Sequence, residues 1–271
     1  MNDYQKKFRR IVSSTYFDRA KRFAGSLESY LGVNHFWYYS ISNVGDYSYF
    51  GSHVDWSEFC FEQNLLVPFA CLRHPSNVSL GLSLMKSESD SEFQHVLKLA
   101  WERFQINFNI NIVMRNPEGI EGFGFGSRFN DAKSDERLIN QLPLLKMFFK
   151  SFRDKNGKVF SLLEENKIDL SSEFGSVFYE KPKHLCYTAS REEFLNKIGY
   201  GNLLSLSSRE KDVLRYVAEG YPASFIAKQL NLSTRTVENY IAILKDKLLC
   251  DSKVKLIQKA KALKAETLIE F

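Results

Sequence analysis

The chain has 271 residues, 44% hydrophobic and 25% charged, a composition that suits a folded globular protein and excludes a disordered or fibrous one. It has no run of about 18 apolar residues to cross a bilayer, and its basic start, MNDYQKKFRRIVSSTYFDRAKRF, lacks the apolar block of a signal peptide, so a cytoplasmic protein without a membrane partner is expected. The formal charge of +5 is unevenly spread: residues 201–271 carry 12 Lys and Arg against 8 Asp and Glu, whereas residues 1–200 carry 25 against 24, which pairs a small basic unit suited to a polyanion with a large, nearly neutral one.

Residues 1–31 have helical periodicity, and the aromatic stretches NHFWYYSI and DYSYFG then predict two short strands. Residues 55–66 predict a helix, PFACLRHP with its two prolines a loop, and NVSLGLSLM a strand. Phe93, Val96, Leu97, Ala100, Trp101 and Phe104 form the apolar stripe of the next helix. In INFNINIV, Ile106, Phe108, Ile110 and Ile112 alternate with Asn107, Asn109 and Asn111, predicting a strand with one core face and one polar face. A turn at residues 117–119 and the segment GFGFG complete a hairpin. The glycines are read as a strand packed closely on a neighbour, because neither a helix nor Gly-Lys-Ser/Thr follows as a phosphate loop requires. Residues 135–152 predict a helix broken or kinked at Pro143, residues 159–167 a shorter helix, and residues 175–179 an aromatic strand. Residues 1–180 are therefore expected to be an α/β sandwich, a mostly antiparallel sheet flanked by helices, of the general kind used by small-molecule sensor domains. Residues 181–204 are expected to be a linker with a short helix at 191–198, and residues 205–271 an all-α domain of four helices.

Aromatic residues make up 14% of the chain, with 23 Phe and 13 Tyr, which suits either a large aromatic core or an aromatic-lined cavity. Phe36, Tyr38, Trp56, Phe59 and Trp101 are the candidate wall of a ligand pocket, and for each of them plain core packing is the weightier reading. The cysteines Cys60, Cys71, Cys186 and Cys250 have no CxxC spacing, so buried reduced thiols are expected. His35, His53, His74, His95 and His184 are dispersed without metal-ligand spacing. Asp131, Asp135 and Glu136 are read as a helix N-terminus and not as a carboxylate pair for acid–base catalysis. No metal, no cofactor and no enzymatic activity are expected.

The sharpest signal is NLSTRTVENYIAILKDKL. Val237, Ile241, Leu244 and Leu248, spaced by four, three and four residues, form a buried helical stripe. Ser233 is placed to cap the helix by accepting the N–H of Thr236 or its neighbour. Thr234, Arg235, Glu238 and Asn239 project from the other side. The preceding segment, PASFIAKQL, opens with Pro222, favoured in a first turn, and reaches the capped helix through a turn of about three residues, giving a helix-turn-helix in which Ala227 allows close approach. A helical first turn of this kind fits the major groove: Arg235 can fork onto guanine, Asn239 onto adenine, and Ser233, Thr234 and Thr236 can meet phosphate or a thymine methyl. Lys228, Lys245 and Lys247 are candidates for phosphate contacts that position without reading sequence.

LSSREKDVLRYVAEGYPASFIAKQLNLSTRTVENYIAILKDKL resembles the four-helix DNA-binding domain of LuxR-type bacterial transcription regulators. Leu206, Arg209, Glu210, Val213, Leu214, Gly220, Ile226, Ala227, Leu230, Ser233, Thr236, Val237, Lys247 and Leu248 stand in register with its pattern, over about 60 residues. The resemblance implies double-stranded DNA as partner, contacts from residues 233–240 including Val237 and Tyr240, and a homodimer whose face on the fourth helix carries Val254, Ile257 and Lys261. The chain departs from the pattern at Glu238, usually Lys, at Tyr240, usually His, at Leu249, often Gly, and over residues 222–225. The N-terminal element order resembles the autoinducer-binding domain, but Val67-Pro68 stands where that family has Asp-Pro. An acyl-homoserine lactone would bury its amide without an acceptor there, at about 1 to 3 kcal/mol. The expected function is a sequence-specific, dimeric transcription regulator controlled by a small-molecule effector of the N-terminal domain. The alternative is a DNA-binding regulator whose N-terminal domain is a ligand-free dimerisation or protein-interaction module.

Overall fold

A computed structural model describes residues 3–87, 90–128, 130–181, 191–199 and 201–265. Cys186 and His184 lie outside the described residues. The chain separates into two units, Met1–His184 and Leu185–Phe271. Among the described residues no helix is long and apolar enough to cross a membrane.

In the first unit α1 (Asp3–Val12), α2 (Thr15–Leu31), β1 (Val33–Ser42), β2 (Asp46–Gly51), α3 (Val54–Glu62), β3 (Gly81–Leu84), α4 (Ser91–Phe104), β4 (Ile106–Arg115) and β5 (Gly119–Arg128) follow one another. α5 (Ser134–Asn140), α6 (Leu142–Lys155), α7 (Gly157–Glu165), β6 (Ile168–Asp169) and α8 (Leu170–Phe174) complete it. Among the described residues the strands form one sheet in the order β3-β4-β5-β1-β2-β6, each pair antiparallel. Pro143, which lacks an N–H to continue a helix, sits in the first turn of α6, and the chain breaks before it at Gln141.

Helices cover both faces of this sheet. Phe36, Tyr38, Phe123 and Phe125 pack with Phe17 and Leu27 of α2, Phe149 and Phe152 of α6, and Val159 and Leu163 of α7. Trp37, Tyr39, Ile41, Phe108 and Ile120 pack on the opposite side with Phe8 of α1, Trp56 and Phe61 of α3, and Phe93 and Val96 of α4.

The strand INFNINIV differs from its expected one-sided pattern. The pairing of β4 with β5 shifts register between Phe108 and Ile110, and such a bulge turns the following residues over. Ile106 and Phe108 therefore join one core, and Ile110 and Ile112 the other. Asn109 and Asn111 are buried, not solvated. Asn109 donates to Ser134 Oγ at 2.8 Å and accepts the Ser127 N–H at 2.8 Å, while Asn111 accepts from Trp37 Nε1 at 3.2 Å and donates to the Tyr39 hydroxyl at 3.0 Å. Each buried amide thus has its partners.

The glycines of GFGFG are explained by the strand across from them. Gly124 pairs with Trp37 and Gly122 with Tyr39, and both rings lie over the glycines so closely that an added Cβ would fall 2.1 Å from Trp37 and 2.2 Å from Tyr39. Residues 175–179 are a 3₁₀ turn, Gly175–Tyr179, in place of the expected strand. Asp169 caps α8 by accepting the N–H groups of Ser171 and Ser172, and Gly175 ends that helix at φ 56°, so the chain is already turning when the aromatic residues arrive.

In the second unit α9 (Arg191–Lys197) precedes α10 (Ser208–Ala218), α11 (Ala223–Leu230), α12 (Thr234–Lys247) and α13 (Lys253–Ala265). Their core is Val213, Leu214, Val217, Ile226, Val237, Leu244, Leu256 and Ala260.

Candidate functional site

Local capping sets the geometry of α11 and α12. α11 stops because Asn231 adopts the left-handed conformation, φ 53°, which lets Leu232 N–H bond back to the Ala227 carbonyl at 2.9 Å. Two residues later Ser233 caps α12, accepting the Thr236 N–H at 3.0 Å, with the two hydroxyls 2.7 Å apart. The buried stripe of Val237, Ile241 and Leu244 fixes the rotation of α12 about its axis.

That rotation leaves Thr234, Arg235, Glu238 and Asn239 exposed. Arg235, Glu238, Asn239 and Ala242 recur at helical spacing, so they form one outward stripe, and the short exposed side chain of Ala242 lets a partner approach the axis. Ala242 was not among the residues that sequence reasoning selected; the spacing from Arg235 carried the signal. Lys228 is exposed on α11 and Lys245 half-buried on α12. Among the described residues the ion pairs of this unit join Arg209 and Arg215 to Asp212, Lys247 to Glu210 and Lys255 to Asp251, and neither Arg235, Lys228 nor Lys245 takes part in them. The capped N-terminus of α12 therefore carries Arg235, the carboxylate of Glu238 and the amide of Asn239, where the partial positive charge of the helix favours phosphate, while Lys228 stands in the last turn of α11 and Lys245 in the last turn of α12.

Three expected contact residues have other positions. The Val237 side chain is fully buried in the helical core. Tyr240 is half-buried and packs against that core. Lys247 is turned inward: its Nζ donates to Glu210 Oε2 at 2.9 Å and to the Ser205 carbonyl at 2.8 Å. Glu210 belongs to the capping box of α10, accepting the Ser207 N–H at 2.6 Å. Burial pushes its carboxyl up, and the bonds from Lys247 and Ser207 outweigh this and hold it below the usual range. Lys247 is thus a strut between α12 and the start of α10.

On α13, Leu256, Ala260 and Leu263 point into the core. Val254 and Lys261 are exposed and Ile257 is half-buried, giving an outer stripe at helical spacing. Leu249, after α12, stands 81% exposed at φ 53°.

The first unit contains a cavity of about 40 Å³ lined by aromatic side chains, among them Trp37, Tyr39, Tyr49, Trp56 and Phe108, with His35 and Cys60. Of the expected wall residues, Trp56 lines it. Phe36 and Tyr38 face the other core, against Phe152 at 4.9 Å and Phe149 at 5.7 Å. Alternation along β1 sends neighbouring residues to opposite faces, and it is His35, Trp37 and Tyr39 that meet the cavity. Phe59 is half-buried against Phe104 and beneath Arg103, and Trp101 is 46% exposed. The histidines are dispersed only in sequence: His35 Nδ1 accepts the His53 backbone N–H at 3.3 Å. A cleft of about 270 Å³ adjoins the cavity and shares Cys60, Phe61 and Leu66 with it. Val67 lies in this cleft.

Comparison with known proteins bears on the second unit. Residues 204–260 match the family model for bacterial regulatory proteins, luxR family. Over 62 residues, 23% of this chain, the sequence is 40% identical to the transcriptional activator protein ExaE of Pseudomonas putida and 36% identical to the transcriptional regulatory protein DesR of Bacillus subtilis. These matches span 29% and 31% of the two relatives. Escherichia coli SdiA aligns over 94% of this chain and 95% of its own at 18% identity and a TM-score of 0.34. SdiA in complex with octanoyl-rac-glycerol aligns over 96% and 93% at 16% identity and a TM-score of 0.35. With the capped helix pair in place and the family match running from just before α10 into α13, residues 204–260 are a helix-turn-helix domain of the luxR family of bacterial regulatory proteins.

Proposed function

We propose that the chain is a cytoplasmic transcription regulator, not an enzyme, that binds double-stranded DNA as a homodimer through α12 and responds to a small molecule held by its N-terminal unit. The observation that carries this reading is the exposed set Thr234, Arg235, Glu238 and Asn239 on the first turns of a helix whose opposite face is locked by Val237, Ile241 and Leu244. An α-helix fits the major groove, where Arg235 reads guanine, Asn239 adenine and Glu238 the cytosine amino group. Ser233, Thr234, Lys228 and Lys245 supply phosphate contacts. The outer stripe Val254, Ile257 and Lys261 of α13 supports the dimer, which would set the spacing of two half-sites. The names of the two relatives, a transcriptional activator and a transcriptional regulatory protein, agree with this role.

The aromatic cavity supports control by a small molecule. Its size favours a second reading, in which the N-terminal unit is a ligand-free dimerisation or interaction module, because about 40 Å³ is far below the roughly 300 Å³ of small-molecule sites. Native mass spectrometry of the full chain purified from its host separates the two. A dimer mass with a bound small molecule is expected; a bare mass from freshly prepared protein favours the module.

A further inference from the structure

Two buried side-chain polar atoms among the described residues have no hydrogen-bond partner, Asn34 Oδ1 and His35 Nε2, and of these two residues His35 lines the cavity. Its Nδ1 accepts the His53 N–H, so the neutral ring carries its hydrogen on Nε2 and that donor is unspent. Burial, with His53 adding to it, holds this imidazole neutral, its pKa lowered to about 3. The neighbouring polar groups are spent within the fold. Trp37 donates to Asn111, Asn111 to the Tyr39 hydroxyl, Ser57 to the His53 carbonyl at 3.0 Å, and Tyr49 and Ser57 share a hydrogen bond of 3.0 Å. No carboxylate, lysine or arginine lines the cavity.

We propose that His35 is the recognition residue of the N-terminal unit, donating its Nε2–H to an acceptor atom on a neutral, largely aromatic small molecule seated against Trp37, Trp56 and Phe108. This rests on the ligand-controlled reading above. A charged group placed in the cavity would lose its hydration with no counter-charge among the cavity's lining residues, the carboxylate of Glu173 bordering only the adjoining cleft, and a hydrocarbon would leave the buried donor unpaired. The cavity itself receives the acceptor end. Displacing Leu66, which borders both spaces, opens it to the adjoining cleft and brings the volume to the lower end of the small-molecule range.

The test uses the full chain labelled with ¹⁵N-histidine and three probes of similar size: acetophenone, which carries a carbonyl acceptor, isopropylbenzene, which has none, and benzoate, which is charged. Acetophenone is expected to bind at least about tenfold more tightly than isopropylbenzene, about 1.4 kcal/mol, and to move the His35 Nε2–H resonance, while benzoate does not bind. His35→Phe should erase the preference while isopropylbenzene still binds; the wild-type comparison and the resonance carry the test if that variant fails to fold. Equal binding of both aromatics with a stationary His35 resonance overturns the role of His35 and leaves ligand control standing. Binding of neither overturns the proposal, and a small molecule copurifying with the full chain would then separate this failure from failure of ligand control.

Discussion

Lys247 is the residue whose two descriptions diverge most sharply. On sequence it is a basic side chain at the end of a DNA-reading helix; in the fold it is the cation beneath Glu210, whose side chain is 6% exposed. Lys247→Ala removes the bonds to Glu210 Oε2 and the Ser205 carbonyl and leaves the carboxylate with the Ser207 cap. Removing one partner of a fully buried ion pair costs roughly 3 to 5 kcal/mol. Because Lys247 is 31% exposed, water can reach the site, and about 2 kcal/mol is the expected loss after that discount. Hydrogen exchange of the full chain, read by mass spectrometry on peptides from α10 and α12, should show faster opening in both helices together. Glu210→Gln combined with Lys247→Met should recover a large part of the loss, since neither charge is then left unpaired. Unchanged exchange in Lys247→Ala, or loss of DNA affinity with no change in exchange, would refute the strut and return Lys247 to the DNA face.

Gly124→Ala should destabilise the first unit by about 2 kcal/mol or more, since its Cβ would meet the Trp37 ring at 2.1 Å and the Ile110 carbonyl at 2.6 Å; tryptophan fluorescence during urea unfolding reports this unit alone, because Trp37, Trp56 and Trp101 all lie in it. Leu249→Gly should stabilise the second unit by about 0.5 to 1 kcal/mol, the left-handed cost of roughly 1 to 2 kcal/mol exceeding the added freedom of glycine in the unfolded chain, and slower exchange around residues 244–256 would register it. The first unit should also weaken as pH falls from about 6.5 toward 3, because the unfolded His35 protonates at its ordinary value while the folded one, at about 3, does not. His35 alone gives a slope of about 1.4 kcal/mol per pH unit, and His53, whose pKa burial also holds below its usual value, adds to it with the same sign. Asp131 and Asp169, also held below their usual values, act only at the acid end of that range. A urea midpoint that is flat between pH 7 and pH 5 would contradict the buried neutral imidazole.

The helix α12 was legible because its signals are local. Ser233 and Thr236 are three residues apart, and the stripe of Val237, Ile241 and Leu244 needs only one helix to be recognised. What a residue does there was less legible. Val237 belongs wholly to the stripe, and the inward turn of Lys247 depends on a buried carboxylate 37 residues earlier. The cavity was harder to place because β1 is apolar on both faces, so that nothing in NHFWYYSI distinguishes His35, Trp37 and Tyr39 from Phe36 and Tyr38. Bulges near Asn34 and Asn109 then shift the alternation within single strands. Residues 175–179 depart from the expected strand for the opposite reason: their aromatic character suits a strand, but Gly175 turns the chain and β6 offers only two residues of edge.

The DNA-reading role of the outward face of α12 is tested by selecting a preferred duplex for the wild-type chain from random sequence and titrating Arg235→Ala against it in a gel-shift assay. A loss of about 1 to 3 kcal/mol on the selected duplex with little change on unrelated DNA is expected. Wild-type affinity of the variant for the selected duplex would contradict it.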